Sequence, residues 1–564
     1  MNYNPRRLFV ASCLALITSA FSFQMRQNVA DDVAADFLLT KQVVGELMGG
    51  QFLGMALAML VFSPLCDAMG MGKVLALAWL GHLTGISGTI FAKEVAAQSA
   101  ASGLASGLAG FSGWMTTNLG FSLMPNVPGA NTAFWVLWLA AFLIGSANGL
   151  VEVAINPLSA TIYPDQKTHK LNVLHAWWPG GLIVAGLLAL FLINPLYARE
   201  GKEATFFKYT LDPAKLGVAE FLGQVPSWKI KYGLIYVPML LYGLLSVGQR
   251  FPATERVQAN VSTATMFLQI LRPLFIIWAF CMLLTASTEL GTNSWMESIL
   301  TRTAHVSGTL VFIYITLLMF ILRFFAGPIA HKFSPVGMLF LCSILTAGGL
   351  YWLSYANNGV TAFAAATVFG IGITYYWPTM LGVTAERFPK GGALLLGLMG
   401  CVGNLAISQV TPLMGAVYDS YTVANLPPEL KSESVQTAEG PQPLVKSEKI
   451  PSWVPPEVSQ RIYPAGGEKL NPAAREALEK AGKEDPAKQA EFEKVEAAET
   501  AGAAWSFRWT TVLPCVLIVI FGLIGLVDKM RGGYRQVHLT AAPVEPRRTV
   551  HAAPPGMWPK DQRR

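Results

Sequence analysis

Residues 148–181 read NGLVEVAINPLSATIYPDQKTHKLNVLHAWWPGG. The stretch leaves one apolar run, crosses a short polar loop and enters another. Asn148, Glu152 and Asn156 are spaced four apart, so on a helix they share one face. Pro157 follows at once and removes a backbone hydrogen bond from that helix. A charge near the centre of a membrane-spanning helix costs about 2.5–3.5 kcal/mol on insertion scales. Such a cost is tolerated where the face lines water, a substrate or another polar helix. The stretch therefore marks a candidate transport site inside a helical membrane protein.

The rest of the chain agrees with a membrane setting. Of 564 residues, 53% are hydrophobic and 13% charged, against about 25% charged in soluble chains. Mean hydropathy is +0.43. The six cysteines are scattered and form no CxxC pair, so neither a metal site nor a disulfide framework is indicated. No Walker A sequence and no glycine-rich dinucleotide loop is present, which argues against ATP-driven transport. No nucleophile–base pair is visible, so an enzyme is not expected, nor is any cofactor or metal. The net charge of +7 is better explained by topology than by nucleic acid.

Outward from the opening stretch, apolar runs predict twelve spans, at about 8–27, 43–65, 73–92, 131–162, 172–197, 230–249, 273–292, 307–330, 335–356, 360–386, 392–418 and 508–527. The fold class expected is an all-α membrane protein of two pseudo-symmetric six-helix bundles. The first bundle covers 1–249, a linker 250–272, the second bundle 273–527, and a basic tail 528–564. The second span contains GELMGGQFLGMALA, whose small residues permit close helix contact. Residues 93–130 read as an outside insertion, and 198–229 as an outside loop. Residues 419–506, rich in Pro, Glu, Lys and Ala, read as a second insertion. They contain candidate solvated helices interrupted at Pro486, and of a lid, a partner-binding module or a disordered spacer their composition favours the spacer.

Lysine and arginine fall at the N-terminus, the linker, Lys73, Lys167, Lys170, Lys332, Arg387, Lys390 and the tail, all on one side. By the positive-inside rule that side is cytoplasmic, so both termini are expected there and the insertions outside. The two halves carry loosely matching signals. Ser63-Pro64 and Asp67 precede the third span, while Gly327-Pro328, His331 and Lys332 precede the ninth.

Two sets of residues carry a resemblance. Ser63, Asp67 and Gly70, with Ala68 after the acid and Lys73 as the remaining base, resemble the GxxxDRxGR(K/R) loop of the major facilitator superfamily. Glu152 with Asn156-Pro157, Pro164 and Lys170-Leu171-Asn172 resembles the fourth-helix region of the fucose–proton symporter family. Arg323-Phe324 with Gly327 and Phe333-Ser334-Pro335 resemble that family's GRFxG…SP at the end of helix 8, and Tyr376-Trp377-Pro378-Thr379 resembles its helix 10 Y-P-T. The resemblance implies uptake of a monosaccharide with a proton by alternating access. It also implies a role for Glu152 in coupling and sugar binding. The family's first-helix acid falls near Gln27 here, with Arg26 beside it.

Candidate substrate contacts are Gln24, Gln27, Glu152, Asn156, His175, Trp178, Glu289, Asn293, Trp295, Tyr375 and Tyr376. A sugar offers hydroxyls and apolar C–H faces, so amides, carboxylates and aromatic platforms suit it. Glu152 and Glu289 are the candidate proton carriers. Asn156 either bonds a sugar hydroxyl or caps the backbone freed by Pro157, and the tryptophans either stack on substrate or sit at the membrane interface. Asp67, Arg323 and His331 fall at inner helix ends and read as gate latches. The expected partners are a small sugar, a proton and the lipid bilayer. The chain is expected to act as a monomer in a bacterial inner membrane. Alternatives are an exporter or organic-anion carrier using Arg26, or a sugar sensor that does not transport.

Overall fold

The computed structural model describes residues 3–37, 41–99, 103–119, 131–197, 219–437, 440–447 and 463–539. In the first half the main helices are α1 (Pro5–Asp36), α2 (Lys41–Met69), α3 (Met71–Ile90), α4 (Ala92–Ser99), α5 (Leu104–Leu119), α6 (Thr132–Ile162), α7 (Lys167–Leu188), α8 (Ser227–Gly233) and α9 (Tyr236–Ser246). In the second they are α10 (Pro273–Ala286), α11 (Thr292–Thr303), α12 (Gly308–Arg323), α13 (Ala326–Phe333), α14 (Pro335–Leu353), α15 (Gly359–Ile373), α16 (Tyr376–Arg387) and α17 (Gly392–Asn425). Beyond these lie α18 (Pro472–Gly482), α19 (Pro486–Thr510) and α20 (Val512–Met530).

Among the described residues, nine helices are long and apolar enough to cross a membrane. The number is eleven when α3 with α4 and α12 with α13, bent by 85° and 68°, each count as one. The sixth expected span, about 230–249, falls on α8 and α9, neither of which is long enough to count. Large apolar side chains such as Leu60, Val184, Leu244, Ile276, Ile313 and Leu523 remain exposed on the helices, as lipid-facing surfaces require.

Local chemistry sets the boundaries. Asn131 caps α6 by accepting from Phe134 N at 2.9 Å. Asn358 and Thr361 form a capping box at the start of α15. Prolines open α10 and α14 at positions where a missing N–H costs nothing. The heaviest packing puts α2 and α3 against α6, and α14 against α15. Glycines make this possible. A side chain at Gly54 or Gly145 would collide with Phe142 O or Gln51 O across the α2–α6 crossing, which is the close contact the small residues of the second span predict. Gly349 plays the same part against Phe369 in the second half.

Residues 93–130, read as an insertion, contain α4 and α5 in the part described, whereas 100–102 and 120–130 lie outside the described residues. One expectation changes. Residues 419–506 are not a disordered spacer in the part described; 438–439 and 448–462 lie outside it. That segment has its own apolar core of Val423, Leu426, Leu430, Val435, Leu444, Leu478, Phe492 and Val495. Two antiparallel pairs accompany it, β1 (Ser434–Thr437) with β2 (Gly440–Pro443) and β3 (Val445–Ser447) with β4 (Glu468–Leu470). Average composition concealed a sparse set of large apolar residues that meet once α17 and α19 extend beyond the bundle. Pro486 does not interrupt a helix; it begins α19 behind the Asp485 cap. Glu499 on α19 accepts from Arg302 on α11 at 2.5 Å and from Arg475 on α18 at 3.1 Å, fastening the unit to the second half.

The halves meet at the end that carries Pro5, the linker and the described part of the tail. Lys167 Nζ lies 2.5 Å from Glu255 Oε2 and 3.3 Å from Ala385 O. Thr168 donates through N (3.0 Å) and Oγ1 (2.7 Å) to Glu386 Oε1. Asn172 Nδ2 reaches Thr379 Oγ1 at 3.2 Å. Gly382 and Gly397 leave no room for a side chain against Thr168 and Ser63 of the opposite half. These contacts hold the two halves together at the tail end.

Candidate functional site

The polar face of α6 divides. Each residue turns a helix by about 100°, so a four-residue step drifts by about 40° and an eight-residue step by about 80°. Asn148, expected beside Glu152 and Asn156, instead turns into the first half. Its Nδ2 donates to Ser22 Oγ at 3.0 Å, and its Oδ1 faces His82 Nε2 at 2.9 Å. His82 Nδ1 meets Tyr242 OH at 3.1 Å, and Gln51 Nε2 reaches Ser22 Oγ at 3.4 Å. With Asn148 Oδ1 as an acceptor, the ring carries its proton on Nε2 and takes the tyrosine hydroxyl at Nδ1. This network joins α1, α2, α3, α6 and α9, all within one half.

Glu152 and Asn156 turn the other way. Asn156 Nδ2 donates to Glu152 Oε2 at 2.6 Å, and His175 Nε2 meets Asn156 Oδ1 at 2.9 Å. His175 Nε2 also lies 3.8 Å from Glu152 Oε2. All three side chains are buried. Asn156 thus bonds side chains and does not cap the backbone freed by Pro157. The Val153 carbonyl that Pro157 leaves without its helical donor lies 3.6 Å from Cys66 Sγ.

Arg323 carries the cluster into the second half. Its Nη1 donates to His175 O at 2.7 Å, its Nε to Thr374 O at 2.8 Å, and its Nη2 lies 3.6 Å from Glu289 Oε1. The two carbonyls share a cause. Pro179 lies four residues after His175, and Pro378 four residues after Thr374. Each proline removes the N–H that would otherwise reach that carbonyl, so one acceptor in each half is left for the guanidinium. A fork of fixed donors suits this divided task better than an ammonium. Glu289 sits in a π-turn, residues 287–291, where the helical ladder widens. Its second oxygen is buried with no hydrogen-bond partner among the described residues. The result is a polar chain, Glu152–Asn156–His175–Arg323–Glu289, crossing between the halves.

The other candidates scatter around this chain. Gln24 is half-buried beside Gly186, and Gln27 is exposed. Trp178 packs edge-on against Phe23 at 5.0 Å, next to Phe52, and Arg26 lies over both phenylalanine rings at 5.1 and 5.3 Å. Trp177 does not join that shelf; it packs on Phe320 and Phe324 of the second half. Asn293 stays near Glu289, one turn on, with a buried Oδ1. Trp295 points elsewhere, stacked at 6.2 Å on Tyr418 of α17. Tyr375 donates to Leu322 O at 2.7 Å and Tyr376 to Ser343 Oγ at 3.1 Å, so both phenols are engaged within the second half.

The three expected latches separate. Asp67 accepts from Thr254 Oγ1 and Arg256 Nε, each at 2.6 Å, pinning the linker. Arg323 lies deeper, at the junction itself. His331 is exposed on α13 and lies apart from both. Sequence reasoning missed Ser22, Gln51, His82 and Tyr242 as a group, and Thr168 with Glu386. Each is a lone polar residue in or beside an apolar run, a signal that marks cost but not partner.

Comparison with known proteins adds the family. The Major Facilitator Superfamily model matches residues 9–409. No curated protein matches the sequence. Among solved structures, the fold is similar to that of FucP in the outward conformation, with a TM-score of 0.54 and 15% identity, covering 73% of this chain and 91% of that one. It is similar also to the E. coli fucose:proton symporter FucP in a variant form, with a TM-score of 0.52 and 14% identity, covering 72% and 90%. A third similar fold is the human organic anion transporter TETRAN, with a TM-score of 0.51 and 10% identity, covering 92% and 99%. The match to the family model spans most of the chain, and the helices it covers carry the polar chain between two halves: this is a multi-pass membrane protein of the Major Facilitator Superfamily, with the fold of a secondary transporter.

Proposed function

We propose that the protein takes up a monosaccharide together with a proton by alternating access. The observation that carries this reading is the pair of buried carboxylates, Glu152 and Glu289, one from each half, joined through Asn156, His175 and Arg323. Ionisable groups at this depth are functional by default. Opening the junction parts Arg323 from His175 O, so the charge state of the chain and the separation of the halves are linked. Sugar hydroxyls match the amide and carboxylate oxygens of Glu152, Asn156, Glu289 and Asn293. The Phe23–Trp178 shelf suits the C–H face of a pyranose. Solved relatives of the same fold include a fucose:proton symporter, which favours this cargo class. The protein works as a monomer in a bacterial inner membrane with both termini in the cytoplasm, so the tail end is the inner gate. The first bundle spans 1–249 and the second 273–527.

The test is counterflow in proteoliposomes with a panel of neutral sugars and organic anions, at two pH values. A neutral sugar should exchange, and accumulation should require an inward proton gradient. Exchange of organic anions but of no sugar would replace this reading with a second one. That second reading has its own support, since Arg26 borders an apolar cavity lined by Val29, Val33, Leu47, Leu137 and Ala141.

A further inference from the structure

The first residues of the C-terminal tail lie against the tail-end junction rather than extending from it. After α20 ends at Met530, the chain turns through Gly532 and Gly533 at φ 89° and 100°, a conformation that favours glycine. It then makes contacts with three separate parts of the molecule. Tyr534 OH donates to Glu386 Oε2, and Val537 N donates to Glu386 O at 2.8 Å, both in the second half. Gln536 Nε2 donates to Pro164 O at 2.5 Å, in the loop between α6 and α7 of the first half. Leu539 N donates to Glu255 Oε1 at 3.0 Å, in the linker.

Two of the three acceptor residues, Glu386 and Glu255, already belong to the junction. The other oxygen of Glu386 takes Thr168, and the other oxygen of Glu255 takes Lys167. Arg387, beside Glu386, pairs with Asp528 at the end of α20 and lies 4.7 Å over the Tyr534 ring. One segment of six residues thus completes both carboxylates that hold the halves together, and adds a bond of its own to each half.

We propose that residues 534–539 form a strap that holds this end of the transporter shut and must detach before it opens. The strap can bias the equilibrium only through contacts that differ between states. Its acceptors meet that condition, because Pro164 lies in one half and Glu386 in the other. When the halves part there, one segment of extended chain cannot keep both. The strap therefore favours the closed tail end and slows the step that opens it. This inference rests on alternating access, not on the identity of the cargo.

The experiment measures the tail-end separation directly. Spin labels are placed on cysteines replacing Lys73 and Lys332, exposed residues of opposite halves near this end, with Cys515 replaced by Ser because it is the exposed native cysteine. Distances are recorded in lipid nanodiscs for the full chain, for a chain ending at Gly533, and for Val537→Pro. The proline removes one strap N–H while leaving the side chains of the junction in place. The truncated chain should show a longer-distance population raised about tenfold, equivalent to about 1.4 kcal/mol. Val537→Pro should move the same way by a smaller factor. Thermal unfolding of each variant separates a shifted equilibrium from a damaged fold. Distance distributions unchanged in both variants, with unfolding unchanged, overturn the strap.

Discussion

Two polar clusters on α6 stand one turn apart and have opposite characters. The Asn148 cluster draws its partners from α1, α2, α3 and α9, every one of them in the first half. The Glu152 cluster draws His175 from the first half and, through the His175 carbonyl, Arg323 and Glu289 from the second. Buried polar networks are expensive unless satisfied. The first joins five helices within one half. In the proposed alternating access the second spans the seam at which the halves part, so there it breaks and reforms while the first stays whole. On that reading one helix supplies both a pin and a working contact, divided by the drift of its own turn.

The comparison can be broken most severely at Arg323. Arg323→Ala leaves Glu289 buried without its cation and two proline-freed carbonyls without a donor. Breaking a buried ion pair from one side costs about 3–5 kcal/mol. Transport should fall by about a hundredfold or more, with a lowered unfolding temperature in detergent. Arg323→Lys should recover stability more than transport, because an ammonium cannot serve three divergent acceptors as a fork does. Equal recovery of both would count against the shared role of the fork.

Next in size are His82→Ala and Asn148→Ala. Each strips partners from the pin, and a buried unpaired polar group costs about 1–3 kcal/mol. Unfolding temperature should drop, while the dependence of accumulation on the proton gradient should persist in the protein that remains folded. Loss of coupling without loss of stability would erase the distinction between the clusters. A smaller effect is expected from Pro179→Ala. The restored N–H competes with Arg323 for the His175 carbonyl, so transport should slow about three- to tenfold, consistent with a weakening of about 1 kcal/mol. A rate equal to that of the parent would show that the proline-freed carbonyl matters little. The smallest is Trp178→Ala, which should raise the half-saturating sugar concentration several-fold through loss of a stacking face worth about 1 kcal/mol, with the maximal rate nearly unchanged.

Much of the fold was legible because lipid leaves few alternatives. Runs of apolar residues at bilayer length give spans, and the small residues of GELMGGQFLGMALA mark the α2–α6 crossing that Gly54 now occupies. The site was legible only as a set of costs. Glu152, Asn156, His175 and Glu289 announce themselves as expensive residues, and the structure brings these four into one chain. It sends Asn148 to a different cluster, because spacing by four does not fix a face over two turns, and Trp295 to Tyr418, because two residues past Asn293 is nearly the opposite face of the helix. The Arg323 contacts depend on Pro179 and Pro378, which are far apart in sequence and meet through a third helix. The 419–506 unit was misread because its core is thin and its charges dominate the average.

The central claim is that Glu152 carries the coupled proton, at one end of a polar chain that spans both halves. It is tested most directly by recording external pH as sugar enters proteoliposomes down its own gradient, for the parent and for Glu152→Gln. The account predicts alkalinisation with the parent, and none with Glu152→Gln while sugar counterflow continues. Proton uptake that persists undiminished in Glu152→Gln, or sugar entry by the parent with no proton movement, would contradict it.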